Sequence, residues 1–90
     1  MNRIYKYPLA NAGHQLVTLP IGAKPLVVQV QHDVACLWAQ VDDACMETTV
    51  HEIYIYGTGH ALDRDPGVYL GTIQLLDGAF VGHVYDKVRL

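Results

Sequence analysis

Leu26-Val27-Val28-Gln29-Val30-Gln31, then His32-Asp33, then Val34-Ala35-Cys36-Leu37-Trp38-Ala39-Gln40-Val41 is the stretch that decides how the chain reads. Leu26, Val28 and Val30 alternate with Val27, Gln29 and Gln31. A period of two places successive side chains on opposite faces of a strand. The apolar run Val34 to Val41 follows after two residues only, which predicts a tight antiparallel hairpin. Neither His32 nor Asp33 is the glycine such turns favour.

Working outward, the same pattern of short runs between turn residues repeats. Upstream, Arg3–Tyr7 sets Tyr5 and Tyr7 on one face and Ile4 on the other, and Pro8 ends it. Asn11-Ala12-Gly13 is a turn signal, His14–Leu19 a second strand, and Pro20 to Pro25 the next connection. Downstream, Asp42 to Thr48 reads as a loop or one short helical turn. Thr49–Tyr56 follows as a strand rich in β-branched and aromatic residues. Ala61 to Gly67 is the longest exposed loop. Val68–Leu75 and Ala79–Val88 then flank Leu76-Asp77-Gly78, whose Asp-Gly pair is the strongest hairpin signal in the chain. No stretch carries a sustained 3.6-residue apolar period. The expectation is one all-β domain over residues 1–90: six to seven short antiparallel strands with little or no helix, in a small sandwich or barrel-like sheet.

Composition narrows the setting. Ninety residues bury a thin core, yet 51% of them are hydrophobic. That surplus predicts a homo-oligomer that buries apolar surface between subunits. The net charge is −3, and Arg3, Lys6, Lys24, Arg64, Lys87 and Arg89 form no basic stripe, so general nucleic-acid binding is not expected. No run approaches the length of a membrane span. The opening MNRIYKYPL lacks the apolar core of a secretory signal, which predicts a cytoplasmic protein. Cys36 and Cys45 then read as reduced thiols, with a cross-hairpin disulfide as the open alternative.

Several motifs together carry a resemblance. Ile4-Tyr5-Lys6-Tyr7-Pro8-Leu9, Leu37-Trp38-Ala39, Ile55-Tyr56-Gly57-Thr58-Gly59-His60, Tyr69-Leu70-Gly71-Thr72-Ile73-Gln74-Leu75 and Phe80-Val81-Gly82-His83-Val84-Tyr85 span nearly the whole chain. This combination resembles a family of small uncharacterised proteins encoded by phages and prophages. The resemblance implies a setting, a phage accessory protein in the cytoplasm of the bacterial host, and no activity. By analogy of setting it suggests a counter-defence role.

For chemistry, Tyr56-Gly57-Thr58-Gly59-His60 stands out. Two glycines can turn backbone N–H groups toward an anion, and Thr58 and His60 add hydrogen-bonding groups. Arg64, four residues on, could supply a charge-assisted contact to a phosphate. The plainer reading of the glycines is a turn after a strand. With no helix following, the dinucleotide fingerprint is absent. The expected ligand site is therefore Tyr56, Gly57, Thr58, Gly59, His60 and Arg64, taking a small anionic, nucleotide-like ligand.

Other candidates read as structural. Trp38 is expected at the centre of the core. His14, His32, His51, His60 and His83 match no metal-ligand spacing, so neither metal nor cofactor is expected. His83 is expected as a hydrogen-bonded histidine on a sheet face. The chain has no serine and no matched nucleophile and base, so it is not expected to be an enzyme. The leading expectation is a binding protein. The alternatives are an inhibitor of a host protein that uses an edge strand or aromatic face, or a minor structural or assembly component of the phage particle.

Overall fold

The computed structural model describes residues 1–89. Seven strands follow one another: β1 (Asn2–Pro8), β2 (His14–Pro20), β3 (Lys24–Gln31), β4 (Val34–Asp42), β5 (Thr48–Gly57), β6 (Val68–Leu75) and β7 (Phe80–Val88). Every ladder is antiparallel. A three-stranded sheet in the order β1-β4-β3 packs on a four-stranded sheet in the order β2-β5-β7-β6. The architecture is an open sandwich, not a closed barrel. Residues 42–48 contain a turn, Cys45 N–H donating to Asp42 O at 3.0 Å, and no helix. Cys36 and Cys45 are both free thiols.

Alternation selects the core. Ala35, Leu37, Ala39 and Val41 point inward from β4, and Val28 joins them from β3. They meet Leu19, Ile53, Ile73, Leu75 and Val84 of the other sheet, and all are buried. Two polar side chains lie in the same layer. His51 Nδ1–H donates to Asp86 Oδ1 at 2.8 Å, with both residues buried, tying β5 to β7 from the inside.

Two local expectations need correction. Trp38 is not the core centrepiece. The inward positions of β4 belong to its odd-numbered residues, so Trp38 lies half-buried on the outer face, under Lys6 Nζ at 5.9 Å from the ring centroid. Leu26 does not share the inward face of Val28 and Val30. A bulge between Pro25 and Val27 breaks the alternation there and leaves Leu26 exposed.

The hairpins at one end of the sandwich hold unusual backbone. His32 and Asp33 adopt φ of 52° and 61°, the two left-handed positions a type I′ turn demands. Leu76, Asp77 and Gly78 also have positive φ, at 54°, 53° and 85°. The β6–β7 connection is four residues long, Leu76 to Ala79, one more than the expected Leu76-Asp77-Gly78. Asp33 Oδ1 accepts the Leu76 N–H at 3.1 Å and ties the two hairpin tips together.

Candidate functional site

The strained hairpin tips border a cavity of about 460 Å³ that opens at this end of the sandwich, between the sheets. Ala35, Ile55, Ile73, Leu75 and Phe80 give it apolar walls, and Asn11–Gly13, Asp33, Gly57, His60 and Leu76 complete the lining. Small-molecule sites usually combine such walls with a few placed polar groups, in cavities of about 300–1,000 Å³. The four non-glycine residues with positive φ among the described residues are His32, Asp33, Leu76 and Asp77, and all lie in these two tips. Left-handed backbone at non-glycine residues costs energy, and such strain concentrates at binding and switching sites.

The chain reaches the cavity through β5. Ile55 and Gly57 point inward from its last turn of pleat, and the strand ends in a turn in which His60 N–H donates to Gly57 O at 3.1 Å. Gly59 occupies the third position with φ of 86°, the conformation a type II turn reserves for glycine. The His60 ring lies directly over Gly57: a Cβ there would stand 2.9 Å from His60 Cε1 and 3.0 Å from Nδ1. The missing side chain of Gly57 is what lets the imidazole rest at the mouth.

The six residues expected to form one site are divided by the sheet. Gly57 and His60 border the cavity, and Gly59 shapes the turn between them. Tyr56 points to the opposite, outer face, where its hydroxyl donates to Asp63 Oδ1 at 3.4 Å. Reduced hydration and the Asp63 carboxylate push the Tyr56 phenol above its ordinary value. Arg64 also lies on that outer face, 5.8 Å from the Tyr54 ring centroid and 3.5 Å from Asp63 Oδ1. The Tyr54 hydroxyl and then the Asp63 charge hold its guanidinium above the usual arginine value. Arg64 is therefore an exposed side chain of the outer face and does not line the cavity.

Thr58 plays a bracing part. Its Oγ1 and His83 Nε2 are hydrogen-bonded at 2.8 Å, while His83 Nδ1 bonds Thr72 Oγ1 at 2.9 Å and Thr72 in turn bonds the Tyr69 hydroxyl. A neutral imidazole offers one donor and one acceptor, and two hydroxyls can meet both. The chain of bonds pins the 57–60 turn across β7 to β6. His83 is the hydrogen-bonded sheet-face histidine the sequence suggested. The outer face also carries an aromatic row: His14 stacks on Tyr54 at 4.7 Å, Tyr54 neighbours Tyr56 at 6.3 Å, and Tyr85 meets Tyr56 and Tyr69 edge-on.

Sequence reading missed Asn11, Asp33, Ile55, Leu76 and Phe80 as cavity residues. Asn11, Asp33 and Leu76 come from three different connections. The one local signal was the His32-Asp33 hairpin, which lacks the usual glycine. No group of three His, Cys, Asp or Glu side chains among the described residues is placed to hold a metal ion.

Fold and cavity together define the class: a small antiparallel two-sheet sandwich with a ligand-sized opening at one end. The chain belongs to the family described as Domain of unknown function (DUF7352), whose model matches residues 1–89. No curated protein and no solved structure matches it.

Proposed function

We propose that the protein is a binding module whose end cavity captures a small ligand with a flat apolar body and a hydrogen-bonding edge, of the nucleoside kind. The observation that carries this reading is the 460 Å³ cavity itself, apolar in its walls and edged by His60, Asp33 and Asn11. Imidazole, carboxylate and amide together offer both donors and acceptors to a heterocycle. The anionic part of the original expectation has weaker support. No lysine or arginine lines the cavity, and Arg64 lies exposed on the other face. A phosphate on such a ligand would extend past the mouth into water.

The biological setting is part of the same proposal. The motif resemblance supports a phage accessory protein acting in the bacterial cytoplasm, where capturing a nucleotide signal would blunt a host defence. A second reading, inhibition of a host protein, draws on the outer aromatic row with Tyr69 more than half exposed.

Thermal melts and amide NMR with a panel of nucleosides and mono- and cyclic nucleotides test the first reading. A ligand at one hundred times its Kd should stabilise the fold by about 2.7 kcal/mol. It should also move the amide signals of Gly13, Ala35, Gly57, His60 and Leu76. A panel that moves neither at millimolar concentration, with one host protein co-purifying, would replace this reading by the second.

A further inference from the structure

Asp33 is fixed at two points. Its backbone sits at φ of 61° in the type I′ turn, and its Oδ1 accepts the Leu76 N–H of the other hairpin tip at 3.1 Å. Backbone and carboxylate are thus both tied while the side chain lines the end cavity. Among the described residues of that lining it carries the one carboxylate, with no lysine or arginine beside it. The ion pairs of the chain, which engage Asp42, Asp43, Glu52, Asp63 and Asp86, do not include it. A carboxylate has about four lone-pair positions, and the Leu76 N–H takes one of them.

The chemistry of that group restricts what can lie against it. A carboxylate accepts hydrogen bonds and donates none. Two N–H groups side by side match its two oxygens, and charge-assisted bonds of this kind are roughly twice as strong as neutral ones. An acceptor placed there is repelled, and it gives up its water without gaining a partner. The purine bases differ at this point. The Watson–Crick edge of guanine carries N1–H and the N2 amino group as neighbouring donors. The one amino group of adenine, at C6, lies between the bare acceptors N1 and N7.

Resting on the reading of the cavity as a nucleoside site, we infer that Asp33 selects the base: guanine, with two adjacent N–H donors, is admitted, and adenine is turned away. The lack of lysine and arginine in the described lining points the same way, since a cation there would neutralise the carboxylate.

NMR titrations of the full chain with guanosine, inosine and adenosine test this, on the wild type, Asp33→Asn and Asp77→Asn. The wild type should bind guanosine about tenfold more tightly than adenosine, with inosine, which lacks the N2 amino group, between them. Asp33 is exposed, so water competes and the ratio stays well below the roughly ten-thousandfold of a buried site. Asparagine tolerates left-handed backbone, and its oxygen can keep the Leu76 N–H bond, so Asp33→Asn should fold. Its amide nitrogen then replaces one oxygen, and a donor beside an acceptor is the pattern by which asparagine reads adenine. The guanosine preference should therefore vanish or reverse. Asp77→Asn removes the same charge from similar backbone, φ of 53°, outside the cavity lining, and should keep the wild-type order. Adenosine bound as tightly as guanosine by the wild type would overturn the assignment and leave the cavity reading standing. So would a preference that Asp33→Asn preserves, or one that both variants abolish. Silence with all three nucleosides would overturn the two together.

Discussion

Gly57→Ala asks whether His60 owes its place at the cavity mouth to a missing side chain. A Cβ on Gly57 would come within 2.9 Å of His60 Cε1, 3.0 Å of Nδ1 and 3.3 Å of Nε2. Favourable contact between carbons begins at about 3.5 Å, so the overlap is roughly half an ångström. Gly57 has no positive φ, which lets alanine adopt its backbone. His60 is exposed, so the ring can swing aside while the strand stays in place. Folding stability should change by no more than about 0.5 kcal/mol. The bound ligand should lose one hydrogen bond, about 0.5–1.5 kcal/mol, or roughly two- to tenfold in affinity. His60→Ala should cost the same, and the double variant no more than either single one, because both changes remove one group. The assay is a four-member cycle of titrations with the nucleoside that responds in the melts, alongside the His60 ring resonances in the free protein. Additive losses in the cycle, or His60 resonances that Gly57→Ala leaves unmoved, would refute the reasoning.

Two further predictions concern stability. Asp86→Ala leaves the His51 Nδ1–H buried without its 2.8 Å partner, and should cost about 3 kcal/mol in urea unfolding. That is a large share of the total for a chain of this length, about 5–13 kcal/mol, and a loss below about 1 kcal/mol would show that His51 finds another partner. The hydrogen bond from Arg3, and then that from the amino terminus, hold the Asp43 carboxyl below the usual carboxylate range. The amino terminus, and then the Ala44 N–H, do the same for Asp42. A folded pKa below the unfolded value gives stability that is present above about pH 4 and lost as pH falls through the folded value. The β1–β4 tie should therefore loosen in acid, and Asp43→Asn should flatten the acid limb of a Tm–pH curve; an identical limb would contradict it.

The strands themselves were legible in the sequence because alternation and turn chemistry are local. Val68–Leu75 was placed with both ends correct, and the other six strands within a residue or two at each end. The hairpin across His32-Asp33 was legible too, since two apolar runs two residues apart have few other ways to pair. The family resemblance rested on the same local motifs. Where local reading failed, a partner distant in sequence had decided the matter. Leu26 left the core because a bulge interrupts the ladder with β4, and Trp38 went outside because the inward face of β4 was taken by Leu37 and its neighbours.

The candidate site shows the same division more sharply. Tyr56-Gly57-Thr58-Gly59-His60 was recognisable as a special turn, and Gly57 and His60 do border the cavity. Adjacent residues on a strand point to opposite faces, however, so a compact motif in sequence became two half-sites on either side of a sheet. Tyr56 and Arg64 went to the outer face, and Asp33, Leu76 and Asn11 arrived at the inner one from three other connections. By itself the sequence determined where the chain extends and where it turns, since those depend on neighbours within a few residues. Which turns meet at one end of the sandwich, and so what lines its cavity, depends on strand order across two sheets. Only the packing of one sheet on the other decides that.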